Sequence, residues 1–259
     1  MNLVQNKTRW WAMLVAACAM ALPMALAVAA EAPKPGPVSN EWFMWVTPGH
    51  EAQFEAAAKA HAAWRKQAGD PHTWNAYQAT VGGDLTYYVY RAENLQWTDV
   101  DAGNAWDQKA GATAHWNQNV NPHVTRYEHY FGVMEPSMSY WLEDEDYAMY
   151  SVTTLPVNSG KWRSLREGMQ AYVKAATDAK WDRSWSIERV IGGDGGVIVV
   201  RPLRNFAEMA DPPVMFRDML IKQMGSEAAA QATMDKVIGG LGAGNTTIYT
   251  WRKDLSTPK

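Results

Sequence analysis

The chain has 259 residues, 47% of them apolar and 20% charged, with 14 Trp, 14 Met and a single Cys. Those proportions exclude a disordered or collagen-like chain and suit one large domain or two small ones. With 24 Lys and Arg against 27 Asp and Glu the net charge is −3, so no basic excess points to a nucleic-acid partner.

The first predicted element is an address. Lys7 and Arg9 precede an apolar run from Trp10 to Ala30, interrupted by Pro23 and closing on the small residues Ala27 to Ala30. This is the layout of a secretory signal over residues 1–30. The run is also long enough for a retained membrane anchor. Val15-Ala-Ala-Cys18 has the form of a bacterial lipoprotein box, but the apolar run continues well past Cys18, where a lipoprotein turns polar. Cleavage removes Lys7, Arg9 and the only cysteine. The product is a periplasmic or secreted protein of net charge −5 with no disulfide, no thiolate and no stable membrane insertion. Residues 31–40 follow as a stiff Pro-rich linker carrying Pro33, Pro35 and Pro37.

From Glu41 a short apolar run, Trp42 to Val46, leads into a helix-period stretch from Gly49 to about Gln67. Two strands are expected at His72 to Val81 and Leu85 to Arg91 around Gly82-Gly83-Asp84, then a helical region from about Leu95 to Val120, then a strand from Val124 to Val133. Residues 139–146, with Glu143-Asp-Glu-Asp146, form an acidic linker that lacks the spaced ligands and glycine of a calcium loop. The same order then restarts: strand Tyr147 to Val152, helix Lys161 to about Thr177, strands Ser184 to Ile191 and Val197 to Arg201, a helical region Val214 to Ile238, and a strand Thr246 to Trp251. Met44-Trp45 corresponds to Met149-Tyr150, Trp74 to Trp185, Arg91 to Arg201, and Val124 to Tyr127 with Thr246 to Tyr249. The expected organisation is therefore two βαββαβ ferredoxin-like repeats, at 41–138 and 147–255, related by divergent duplication.

Phe43 to Val46, Tyr87 to Tyr90 and Val197 to Val200 are apolar at consecutive positions, so both faces of these strands should be covered. Two half-sheets facing each other, with helices outside, satisfy that requirement. This α+β arrangement resembles the dimeric α+β barrel superfamily, in its antibiotic-biosynthesis-monooxygenase and NIPSNAP-like branches, as a tandem fused dimer. A fused pair is compatible with a monomer. The resemblance implies a ligand cleft between helix and sheet. It also implies two chemistries to weigh, cofactor-independent oxidation of an aromatic substrate and haem binding.

The candidate site residues lie in the first half. His61 falls on the apolar stripe of the first helix, where the second half has Met169. It reads either as a hydrogen-bonded core histidine or as a pocket histidine, and in an enzyme it would be the catalytic proton acceptor. Trp45, Tyr77 and Tyr88 belong to an aromatic cluster on the strands, which could be core or could line a pocket for a small apolar or aromatic molecule. If there is one pocket, the plainer aliphatics of the second half place it in the first. Trp106 and His115 complete the candidates. The haem-degrading members of the superfamily use a Trp and a His on this helical region with an Asn on the first strand. Here the first strand, read from Glu41, has no Asn, and nine residues at roughly 100° each set Trp106 and His115 on opposite helix faces unless Gly111 breaks the helix. The plainer reading puts Trp106 in the core and His115 in solvent. His50 and His72 are expected in solvent, and no histidine pair has the spacing of a helical zinc site. A third class remains, a structural or interaction domain whose cleft is filled by its own side chains.

Overall fold

The computed structural model describes residues 36–142 and 146–258. The expected signal, residues 31–35 of the Pro-rich linker and Glu143 to Glu145 lie outside the described residues. The first half comprises β1 (Val38–Val46), α1 (Glu51–Gln67), β2 (Asn75–Val81), β3 (Tyr87–Leu95), α2 (Trp97–Ala110), α3 (Ala112–Asn119) and β4 (Val124–Met134). The second comprises β5 (Met149–Leu155), α4 (Trp162–Ala179), β6 (Ser186–Ile191), β7 (Val197–Leu203), α5 (Phe216–Met224), α6 (Glu227–Ile238) and β8 (Asn245–Trp251). Each second helical region is broken by a glycine in the left-handed conformation, Gly111 at φ 73° and Gly225 at φ 75°. Among the described residues no helix is long and apolar enough to cross a membrane.

The eight strands close into one antiparallel barrel in the order β1-β3-β2-β8-β5-β7-β6-β4. The two half-sheets therefore do more than face each other: they join edge to edge, β2 to β8 through Tyr77↔Trp251 and β4 to β6 through Phe131↔Ile191. Closure leaves no strand edge unpaired. It also accounts for the consecutive apolar residues, since one strand face looks into the barrel and the other lies under helices. The chain end ties the halves further. Thr257 pairs with the backbone of Trp74, and Leu255 is buried in the core of the first half, so the segment after β8 packs with that half.

Along β1, Asn40, Trp42 and Met44 face the helices, and Ser39, Glu41, Phe43 and Trp45 face the barrel interior. Towards the Trp45 end the interior is aromatic, with Trp45 stacked on Tyr87 at 4.9 Å and the Tyr87 and Tyr249 hydroxyls 2.7 Å apart. Towards Ser39 it is ionic. Arg91 Nη1 lies 2.5 Å from Glu41 Oε1 and Nη2 lies 2.7 Å from Glu188 Oε1, and the Ser39 hydroxyl donates to Glu41 at 2.8 Å. Gly132 makes room for this group: a Cβ there would stand 2.4 Å from both Glu188 Oε2 and Ser39 Oγ.

Several sequence correspondences hold in space. Met44 and Met149 face outward, Trp45 and Tyr150 face inward, and Trp74 and Trp185 each immediately precede the second strand of their half. Two others slip by one residue and so change face. Arg91 points into the barrel and Arg201 away from it, while Tyr127 points outward and Tyr249 inward.

Candidate functional site

A cavity of about 450 Å³ lies between α1, α2 and α3 and the outward face of the first-half sheet. Strand alternation supplies its floor, with Asn40, Trp42 and Met44 from β1, Tyr90 from β3 and Tyr127 from β4. The helices supply His61, Arg65, Asp107 and Trp116, and the turn before β2 supplies His72 and Trp74. Its volume is that of an ordinary small-molecule pocket.

Most polar groups in the wall are committed to one another. The Arg65 side chain contacts Asp70 at 2.5 Å and Asp107 at 3.4 Å, with its guanidinium over the rings of Trp74 and Trp106. Trp116 Nε1 donates to the Tyr127 hydroxyl, which donates to Asn121 Oδ1. Trp42 stacks on His129 at 4.1 Å, and with Asn40 Oδ1 as acceptor at 2.8 Å His129 Nε2 is the donor. Two atoms are left over. The Tyr90 hydroxyl and His72 Nε2 are buried, line the cavity and have no hydrogen-bond partner among the described residues. Burial holds the Tyr90 phenol well above its usual range, so it stays a donor. His72 is 8% exposed, which corrects its expected place in solvent: Gly103 of α2 leaves room for the ring, where a Cβ would fall 2.3 Å from His72 Cε1.

His61 is the one expected site residue that lines this cavity. It is 4% exposed, and its Nδ1 lies 2.9 Å from His115 Nδ1, so one ring donates and the other accepts. Burial, then Arg65 and His115, push its pKa down to about 3, which keeps the imidazole neutral. His115 stands just behind it, stacked on Trp64 at 4.3 Å. Trp106 is half-buried, donating to the Ala68 carbonyl at 3.2 Å. Trp45 and Tyr77 are inside the barrel, where Tyr77 meets Tyr150 edge-on at 5.5 Å. Tyr88 faces the helices, but its hydroxyl is bonded to Glu55 at 2.6 Å. The expectation of a single cleft in the first half is also too narrow. A second cavity of about 430 Å³ lies against the outward face of β6 and β7, with Met169 in its wall as His61 is in the first.

The haem arrangement implied by the resemblance can be tested on these positions. Gly111 does break the helix, and Trp106 and His115 both come to lie against Trp64. β1 begins at Val38, so the first strand does carry an asparagine, Asn40, and it lines the cavity. Yet neither Trp106 nor His115 lines it, the Nδ1 of His115 is taken by His61, and the one cation in the wall, Arg65, is held by two aspartates. The residues do not fit a haem held in that manner. Among the described residues no group of three or more His, Cys, Asp or Glu could hold a metal ion.

No family model matches the chain, and no curated protein matches its sequence. Solved structures do. A candidate monooxygenase from Lactobacillus acidophilus NCFM matches with a TM-score of 0.52 at 8% identity, covering 85% of this chain and 95% of its own. One from Fusobacterium nucleatum matches with a TM-score of 0.51 at 9% identity, covering 83% and 92%. A mutant chlorite dismutase from Candidatus Nitrospira defluvii matches with a TM-score of 0.54 at 9% identity, covering 85% and 93%. At such identities the likeness shows the fold, and the fold is the dimeric α+β barrel, closed here within one chain.

Proposed function

We propose that this is an exported small-molecule-binding α+β barrel protein, built by internal duplication, whose first-half cavity takes a small, mainly apolar, aromatic molecule. The observation that carries this reading is the pair of buried, unpartnered atoms, Tyr90 Oη and His72 Nε2, in a cavity walled by Trp42, Trp74 and Trp116. A buried polar group without a partner costs about 1–3 kcal/mol. A ligand with a hydroxyl or carbonyl oxygen for Tyr90 and a second polar atom for His72 removes that cost, and its ring fills the space between the indoles. The open cavity argues against a purely structural domain with a filled cleft. The neutral state of His61 favours binding over the monooxygenase-like alternative with His61 as proton acceptor, because a base with a pKa of about 3 is far from the optimum for neutral pH.

Titrating the full chain with naphthol, followed by tryptophan fluorescence, tests the site. Tyr90→Phe should weaken binding by about tenfold, the worth of one hydrogen bond, and leave the melting temperature level or higher. Unchanged affinity in both Tyr90→Phe and Trp116→Ala would remove the first cavity from the reading. Export rests on Lys7, Arg9, the apolar run and the closing Ala27 to Ala30. N-terminal sequencing of the protein from its own host should find a start near Glu31, and an intact Met1 on membrane-bound protein would defeat it.

A further inference from the structure

We propose that the second-half cavity is a separate binding site for an apolar carboxylic acid, its carboxylate held by Arg201 and Arg183 and its aryl or alkyl body lying along β7. The cavity has a polar and an apolar end because of one strand. Val197, Val199 and Arg201 alternate with inward residues and all line it. Four residues of strand span roughly 13 Å, so the wall runs from aliphatic at Val197 to cationic at Arg201 over about the length of a small amphipathic acid. Leu165 and Met169 of α4 lie in the wall with Val197. Trp181 and Trp185 meet Phe216 edge-on at 5.5 Å and 5.8 Å, giving the cavity an aromatic side.

The cationic end lacks its counter-ion. Among the described residues Arg201 has no side-chain hydrogen bond and no ion pair, and it is exposed at the cavity. Arg183, in the turn between α4 and β6, donates to the Ala210 carbonyl at 3.0 Å and has no carboxylate in contact among the described residues. Partial burial and the neighbouring Arg183 both disfavour the charged form of Arg201. The acids nearby do not relieve this. Glu208, close enough to feel Arg183, is held by the Arg204 side chain at 2.6 Å and by the Arg204 backbone N–H at 2.9 Å. Asp211 lines the same cavity, which leaves two cations to one anion in the wall. A single carboxylate balances that set, and guanidinium matches a carboxylate with paired donors. The first cavity offers no such place, since Arg65 is already occupied by Asp70 and Asp107. The two cavities therefore differ in the charge of what they accept.

Naphthoate and its neutral analogue naphthamide, titrated into the full chain by calorimetry, separate charge from shape. Naphthoate should bind at least tenfold more tightly than naphthamide, with a preference that shrinks as salt is raised. Arg201→Gln should abolish the preference and leave naphthamide binding unchanged, while Arg201→Lys should keep part of it. Tyr90→Phe, in the other cavity, should not alter naphthoate affinity. Equal binding of acid and amide, a preference that survives Arg201→Gln in protein with a normal melting curve, or a preference lost on Tyr90→Phe instead would each overturn the assignment, as would no binding of either compound.

Discussion

Replacing Arg91 by methionine will destabilise the fold by about 3–5 kcal/mol, the range found when one member of a buried ionic group is removed. Glu41 is 7% exposed and Glu188 3% exposed, and Arg91 is the cation that both carboxylates touch. Without it Glu41 and Glu188 remain buried in the barrel with the Ser39 hydroxyl as a partner and Glu93 as a further like charge, so at least one must take up a proton. Arg91→Lys should cost less, because it keeps the charge but cannot address Glu41 and Glu188 with separate coplanar nitrogens. Adding Glu41→Gln and Glu188→Gln to Arg91→Met should return part of the loss, since what hurts is the unpaired charge. Urea unfolding of the four proteins checks this, and a loss under about 1 kcal/mol for Arg91→Met would mean that water reaches the group freely. The wild type carries a pH signature too. Burial raises the Glu41 carboxyl above its ordinary value, against the pull of Arg91. Its contribution to stability is therefore complete below the usual carboxylate range and is lost as pH rises through the raised value.

The second large effect has the opposite sign. His61 in the folded protein has a pKa of about 3 against 6.5 in the unfolded chain, so the unfolded state accepts a proton that the folded state refuses. The stability this represents is present above pH 6.5 and drains away as pH falls towards 3. At 1.36 kcal/mol per unit the loss reaches about 3 kcal/mol by pH 4. His61→Met removes the titrating group, and its urea midpoint should change between pH 7 and pH 4 by that much less than the wild type's. At pH 7 the variant loses the His61–His115 hydrogen bond and gains an apolar side chain in a mostly apolar wall, so its melting temperature should stay level or rise while naphthol binding falls. Parallel pH profiles for the two proteins would show that His61 is hydrated. A lowered melting temperature with intact binding would make it a core residue.

How far the sequence carries can be judged from these residues. Element order was legible because periodicity is local: the stripe of Leu165, Met169 and Ala176 marks α4, and Phe54, Ala58 and His61 mark α1. Gly111 was legible as a conditional break, and the glycine is there in the left-handed conformation. The facing of the strands was not legible. In Phe43 to Val46 every position is apolar because both sides are covered, so no polar residue says which side is which. Trp45 of β1 and Tyr77 of β2 therefore read as pocket residues, whereas Trp42 of β1 and Tyr90 of β3, which face the helices, line the cavity. The second cavity was not legible either, because the plain aliphatics of the second half, which line it, read as core. His72 was obscured by its Asp70-Pro71-His72 turn, and only the approach of Gly103 from α2 makes it a buried ring. Trp116 sits on an eight-residue helix, too short for periodicity to say which way it points.

A barrel closed by one chain breaks the symmetry that a barrel of two identical chains must keep. There, any substitution appears in both clefts at once, and an improvement for one ligand is imposed on the other. Here His61 and Met169 stand at comparable places on α1 and α4, and each can change without its counterpart. The same freedom allows His61 in one wall where the other has Met169, and an ion-paired Arg65 in one where the other has Arg183 and Arg201. Well-separated sites without shared contacts respond additively to mutation, so the two pockets can be specialised independently on a common frame.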